Sequence, residues 1–437
     1  MKPQRARCSQ KLLDLNSFRF SMGLTSEISS YAEQLRYIKF LKSEGAEKSI
    51  LRAAAVKLRE IKRLDKGKQS LQKLEHRNTL TSKSLLDSYA SYFRPIPIDD
   101  EGFSFSFPIC NDNSLEVRNF FDDFGFIIFR DVIEAEACRK TQEEIWAYLE
   151  CHAPGFQARV PETYFHLSSK TYGLAPEPAI FSPQIVQNRS SPKVLHAFRM
   201  LLQEEDVLLS HDRWCVYRPT RNIPFKQGKL DVPEWKTKEN LHLDLNPWNY
   251  LSNTKSLNDL RYDNLRDFSK EINRVTQDTG PHVQGVLALN ENTSEDGGTV
   301  LLVGFHHLFQ QWSESLGPIS EHILSNGRDM GHLVWRGNGA GSYILAPNDP
   351  LHRFKQRVTL RAGSLLIWDQ RVMHGSAQNN SNKFRIAQFI KAFKRAPLTE
   401  KSLQNRRMRV KREMSRNGCD VHTELLTPSV RRAIGLV

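Results

Sequence analysis

Residues 363–390 read GSLLIWDQRVMHGSAQNNSNKFRIAQFI. The apolar run Gly363–Trp368 predicts a strand that continues through Asp369 toward His374. Asn379-Asn380-Ser381-Asn382 predicts a polar turn, and Arg385–Ile390 the returning strand. The midpoint between His374 and Arg385 falls inside that turn. Residues so related in a regular hairpin lie opposite each other and share a face. His374, Ser376 and Arg385 are therefore expected to project into one interior. A guanidinium inside a barrel is costly unless an anion meets it, and its planar fork suits a carboxylate.

The second informative stretch is Leu241–Leu245, LHLDL. Strand side chains alternate, so His242 and Asp244 share one face and the three leucines the other. Two imidazoles and a carboxylate form a facial triad suited to iron(II), with His374 as the third ligand. The HxD pattern alone is weak: with 14 histidines in the chain, about one match arises by chance. Taken singly, His242 and Asp244 could be a local pair on an exposed strand, His374 a satisfied core histidine and Arg385 a surface ion pair. Taken together, a metal site is the more economical account.

Around these stretches lie further short strand-like runs: Trp214–Tyr217, Gln284–Leu289, Thr299–Val303, Ser342–Leu345 and Val358–Leu360. Many short strands without long intervening helices predict an antiparallel sandwich or barrel. Phe124–Phe129 (FGFIIF) predicts a buried strand, and Ile133–Leu149 a helix. The polar segment 250–280 reads as an insertion loop with some helix. Ile28, Tyr31, Leu35, Ile38 and Leu41, then Leu51, Ala54, Leu58 and Ile61 after Gly45, recur at helical spacing. Pro95–Gly102 reads as a linker. The expected organisation is a basic helical extension over 1–95, a catalytic domain over 96–395 and a basic tail over 396–437.

The net charge of +13 is concentrated at the ends: 1–95 carries 20 Lys/Arg against 9 Asp/Glu, 391–437 carries 12 against 4, and the middle 30 against 36. The basic ends could meet an acidic partner, though solvated helix faces are the commoner meaning of charge runs and nucleic acid is not the expected one. No run approaches the ~20 apolar residues of a membrane span. Six scattered cysteines without a CxxC pair predict a reducing compartment and no structural zinc. The expected location is cytoplasmic, with mitochondrial import as an alternative from the basic first residues.

From about Asn119 to Phe393 the chain resembles the phytanoyl-CoA dioxygenase family of iron(II)/2-oxoglutarate oxygenases. The resemblance rests on FGFIIFRDVIEAEACRK, HLDLNPW, GGTVLLVGFHHLF and GSLLIWDQRVMHGSAQNNSNKFR. It implies a mainly β fold, a double-stranded β-helix (a cupin-like jelly roll) with flanking helices. By motif position His242, Asp244 and His374 would bind Fe(2+), and Arg385 and Ser376 would hold the 5-carboxylate of 2-oxoglutarate. O2 would be the oxidant, a small organic or lipid-like molecule the substrate, and succinate and CO2 products. Because Asp244 keeps the carboxylate ligand that halogenating relatives lack, hydroxylation is implied. Asn246 and Trp248, and more weakly Tyr217, Arg218 and Gln284, are candidate substrate residues. Where the family has Pro-Gly before a loop histidine, this chain has Gly304-Phe305, and His306 and His307 read as structural loop residues. Two rival readings are a cupin-type metal enzyme that ignores 2-oxoglutarate and a non-catalytic binding protein. Dependence on 2-oxoglutarate separates the first, and stoichiometric iron the second.

Overall fold

The structure is a computed structural model. It describes residues 37–39, 41–42, 51, 54–55, 58, 89–110, 114–167, 181–237, 239–248, 283–319, 322, 331–335, 341–395, 399–419 and 426–437. The chain forms two compact units, Met1–Leu85 and Leu86–Val437. In the first, the described residues are helical, and Tyr37, Leu41 and Ala54 are buried. The remainder of the expected helical stripe (Ile28, Tyr31, Leu35, Ile61), the Gly45 break and the 250–280 insertion lie outside the described residues.

The second unit contains strands β1 (Phe126–Phe129), β2 (Val207–Leu209), β3 (Trp214–Tyr217), β4 (Ile223–Phe225), β5 (Gly228–Leu230), β6 (Asn240–Leu243) and β7 (Val283–Ala288). They are followed by β8 (Gly298–Leu301), β9 (His332–Trp335), β10 (Gly341–Ile344), β11 (Gln356–Arg357), β12 (Leu365–Asp369), β13 (His374–Ala377) and β14 (Arg385–Lys394). One antiparallel sheet runs β1-β12-β7-β14-β2, with β3 also on β14; the other runs β11-β8-β13-β6-β10-β9. Between β6 and β8, and again between β12 and β14, each successive strand changes sheet. That interleaving of two facing sheets is a double-stranded β-helix.

The first sheet is covered on both faces, and its alternation shows it. Ile127, Phe129, Leu365, Ile367, Leu287, Ile386 and Ile390 belong to a core shared with the helices. Their neighbours Phe126, Ile128, Leu366, Trp368, Val286, Ala288 and Ala387 belong to a second core inside the barrel. The helices are α1 (Ser114–Phe124), α2 (Ala135–His152), α3 (Pro183–Arg189), α4 (Pro192–Leu202), α5 (Phe305–Ser315), α6 (Glu400–Arg416) and α7 (Pro428–Ala433). Among the described residues no helix is long and apolar enough to cross a membrane.

Several expectations need correction. β13 and β14 are not a hairpin: β13 pairs with β6 and β8, whereas β14 pairs with β2, β3 and β7. The segment between them is a corner from one sheet to the other. Asn379 builds it, its Nδ2 donating to the Lys383 and Arg218 carbonyls and its Oδ1 accepting from the Ser381 N–H. Val358–Leu360 joins only an isolated bridge, Asn292↔Leu360, because the paired residues come just before it. His306 and His307 lie in helix α5, not in a loop; Gly304, with φ at 86°, turns the chain into it. Pro95–Gly102 is no free linker: Ile96 is buried, and Ile98 and Phe107 bridge to Ser104 and Phe129. Residues of the expected tail, including Val410, Met414, Val430 and Ile434, sit in the helical core. The basic segment is thus an amphipathic cover with most of its charged residues outward, while Arg406 is fully buried and donates to the Leu209 carbonyl.

Candidate metal centre and anion clamp

His242 and His374 are direct partners in the β6–β13 register. Their rings stand 4.4 Å apart between centroids. Gly375 is what lets these strands close: a Cβ there would fall on the Asn240 carbonyl oxygen. Asn240 also ties the pair, its Oδ1 accepting from the Ser376 N–H at 3.1 Å and its Nδ2 lying 3.1 Å from His242 Nδ1. Asp244, two residues along from His242, completes a group whose ligand atoms all lie within 4.8 Å of one another.

The donor set fits a divalent first-row cation. His374 Nδ1 donates to the Val372 carbonyl at 3.1 Å, which turns Nε2 toward Asp244 Oδ2, 4.0 Å away. Burial, and then the neighbouring His242, push its pKa down to about 3, so the imidazole stays neutral, the form that ligates metal. The Asp244 carboxylate is held from two sides. Ser342 Oγ donates to Oδ1 at 3.2 Å, and Lys391 Nζ donates to Oδ2 at 2.9 Å. His242 Nε2 lies 3.7 Å from Oδ1. Two imidazoles and one carboxylate are the donors of a facial triad.

Residues 121–387 match the phytanoyl-CoA dioxygenase (PhyH) family. The chain belongs to this family of iron(II)/2-oxoglutarate-dependent oxygenases. A Dictyostelium discoideum protein named "Putative phytanoyl-CoA dioxygenase" is 32% identical over 342 residues, covering 72% of this chain and 90% of its own. Among solved structures, EctD from S. alaskensis with 2-oxoglutarate and 5-hydroxyectoine is similar at 14% identity and a TM-score of 0.37. That match covers 70% of this chain and 85% of EctD. GIG2 from Candida albicans is similar at 16% identity and a TM-score of 0.45, covering 79% and 80%.

In this PhyH-family chain a buried cationic clamp lies on the sheet opposite the histidines. Arg385 pairs with Tyr217 in the β14–β3 register, and its guanidinium lies 5.1 Å from the Tyr217 ring centre. Its Nη1 donates to Cys215 Sγ at 2.7 Å. The Tyr217 hydroxyl donates across to Ser376 Oγ at 2.6 Å. Ser376 and Arg385 are therefore joined through Tyr217, although the hairpin that was to bring them together is absent. Burial raises the Tyr217 phenol to about 12, so it remains a neutral donor. Burial, and then the neighbouring Arg385, push Arg357 down to about 9.

The weaker candidates separate. Tyr217 joins the clamp, and Gln284 faces the barrel interior beside Trp368. Arg218 has the opposite parity to Tyr217; its guanidinium bonds the Tyr164 carbonyl and lies over Trp235, outside the lumen. Asn246 is fully buried, and Trp248 Nε1 donates to the Gly317 carbonyl at 2.8 Å. Sequence reasoning did not single out Lys391, Asn240, Ser342 or Trp368. Lys391 had a signal: it shares parity with Arg385 once β14 is extended past Ile390.

Proposed function

We propose that this chain is an iron(II)- and 2-oxoglutarate-dependent hydroxylase acting on a small organic or lipid-like substrate. The observation that supports it best is a His–Asp–His cluster on one sheet with a buried arginine, Arg385, on the facing sheet, linked through Tyr217 to the hydroxyl of Ser376 on the strand of His374. His242, Asp244 and His374 would hold the iron, which when bound supplies the oxygen activation coupled to decarboxylation of the 2-oxo acid. The Arg385 guanidinium would hold the distal carboxylate bidentately, with Ser376 Oγ and the Tyr217 phenol beside it. Ser342 and Lys391 fix the Asp244 carboxylate, so its orientation does not depend on solvent. Trp368, Leu366, Val286 and Ala288 keep the lumen apolar and exclude water.

Anaerobic addition of iron(II) and then 2-oxoglutarate to the purified protein tests this reading. A visible charge-transfer band at one equivalent of each is expected. Absence of the band with iron bound would hand the assignment to a metal enzyme that ignores 2-oxoglutarate. Substrate-stimulated succinate release would then identify the molecule hydroxylated.

A further inference from the structure

The end of β14 away from Arg385 carries a second set of charged and polar groups. β12, β7 and β14 lie side by side, with Trp368 opposite Gln284 and Gln284 opposite Lys391. Opposed residues share a face, so these three side chains make one row across the sheet. The row faces the candidate metal centre. The Trp368 ring lies 5.0 Å from that of His374, and Lys391 Nζ lies 2.9 Å from Asp244 Oδ2. All three residues are buried: Gln284 is 2%, Trp368 3% and Lys391 7% exposed.

What the row presents is N–H. Lysine and tryptophan side chains can only donate, and glutamine adds an amide NH2. Among the described residues, Trp368 Nε1 and Gln284 Nε2 have no hydrogen-bond partner. Buried donors are nearly always paired, so two orphans next to a buried ammonium call for an acceptor that arrives from outside the fold. The Arg385 clamp is a separate place. Six residue steps along the strand, about 20 Å at ~3.3 Å each, separate Arg385 from Lys391, with Ala387 and Phe389 between them on the same face.

We propose that Trp368, Gln284 and Lys391 form an oxyanion subsite beside the metal centre, which takes a carboxylate or similar acid group. A bound acid would accept from the indole and carboxamide N–H groups, and the Lys391 ammonium would stand between it and Asp244. A neutral alcohol offers an acceptor oxygen but no negative charge to the Lys391 ammonium, and a protonated amine offers no acceptor at all, so the row favours acids. The proposal deepens the reading above and rests on it only in placing ligands in this lumen. The acid has two possible sources, the metal-side carboxylate of 2-oxoglutarate or an acid group on the primary substrate.

The experiment uses the full-length protein loaded anaerobically with iron(II), titrated by calorimetry. One arm adds 2-oxoglutarate. The other adds octanoate, with 1-octanol as the neutral control, to protein already given 2-oxoglutarate. The variants are Lys391→Met, Gln284→Leu and Trp368→Phe, the last removing the N–H while keeping a ring. Losing a hydrogen bond to a charged group should weaken binding about tenfold to a hundredfold. A loss of that size for 2-oxoglutarate assigns the row to the cosubstrate. Wild type preferring octanoate to octanol, with the preference lost in the variants, assigns it to the substrate. Unchanged 2-oxoglutarate affinity in the variants, together with no octanoate preference in wild type, overturns the subsite. Should Lys391→Met fail to fold, Trp368→Phe and Gln284→Leu decide alone. If wild type binds iron but not 2-oxoglutarate, the hydroxylase reading fails, and the octanoate arm on the iron-loaded protein still decides the subsite.

Discussion

The two sheets contribute different chemistry to the same lumen. The candidate metal donors all come from β6, the residue just past its end and β13, neighbours in one sheet whose register places His242 against His374. The buried cations Arg385 and Lys391 both come from β14 in the facing sheet. Donors on paired strands are set at hydrogen-bonding precision, because the ladder fixes their spacing. Groups on facing sheets are set by side-chain packing between layers, which can give. The cluster should therefore fail abruptly when its register is disturbed, and the clamp should fail by degrees.

The largest effect should come from His374→Ala, which removes a donor outright: stoichiometric iron should be lost with the fold retained. Metal analysis showing iron in the folded variant would place the ligands elsewhere than on these paired strands. Gly375→Ala is the sharper test, since it alters no ligand. Its Cβ meets the Asn240 carbonyl oxygen, so β13 must move off β6. A loss of about 3 kcal/mol in urea unfolding is expected, accompanied by weakened metal binding. Unchanged metal affinity would break the argument from register.

On the facing sheet, Arg385→Ala should weaken 2-oxoglutarate binding by one to several factors of ten, from a cost of about 2 to 5 kcal/mol at about 1.4 kcal/mol per factor. Iron binding should change little, and Arg385→Lys should recover part of the loss because it keeps charge without the fork. Equal affinity of wild type and Arg385→Ala in anaerobic titration would remove the clamp from the proposal.

A smaller effect is expected outside both sheets. Burial lowers the His306 pKa from 6.5 to about 4. Its folded pKa lies below the unfolded one, so the unfolded chain takes up the proton first as pH falls. The stabilising contribution is whole above pH 6.5 and declines as the pH drops toward 4, by about 1 kcal/mol at pH 5.5. Urea midpoints of wild type and His306→Gln should converge over that range, and parallel curves would contradict the burial. The smallest change is expected from deleting residues 1–80, because every candidate site residue lies in the second unit. Loss of 2-oxoglutarate binding in a folded truncated sample would show that the extension helps build the site.

Much of this was legible in the chain because strand alternation is a local rule. His242 and Asp244 fall on one face whatever the strand pairs with, and FIIF and LLIWD could hardly be other than buried strands, though Phe124, expected in the first strand, instead ends α1. Pairing between sheets is not local, and there the reading went astray. The symmetry of His374 and Arg385 about a polar turn suggested a hairpin, but seven residues suffice to turn a corner and change sheet. Ser376 and Arg385 are instead linked by way of Tyr217, whose hydroxyl no periodicity could place. Lys391 was missed because the run of apolar residues stops at Ile390, although the ladder continues to Lys394. The helical start at Phe305 was hidden by a double histidine that looked like a loop.

The corner between β13 and β14 also bears on selectivity for length. It joins the strand that carries His374 on one wall to Arg385 on the other, and Asn379 cross-braces the bend. Facing sheets stand about 10 Å apart, and the backbone of a five-carbon diacid, at about 1.5 Å per bond, is about 6 Å long. In the proposed site the gap between the walls, and no individual side chain, acts as the ruler. Shorter and longer homologous diacids would each carry the same two charges and yet be measured out by the distance the brace holds.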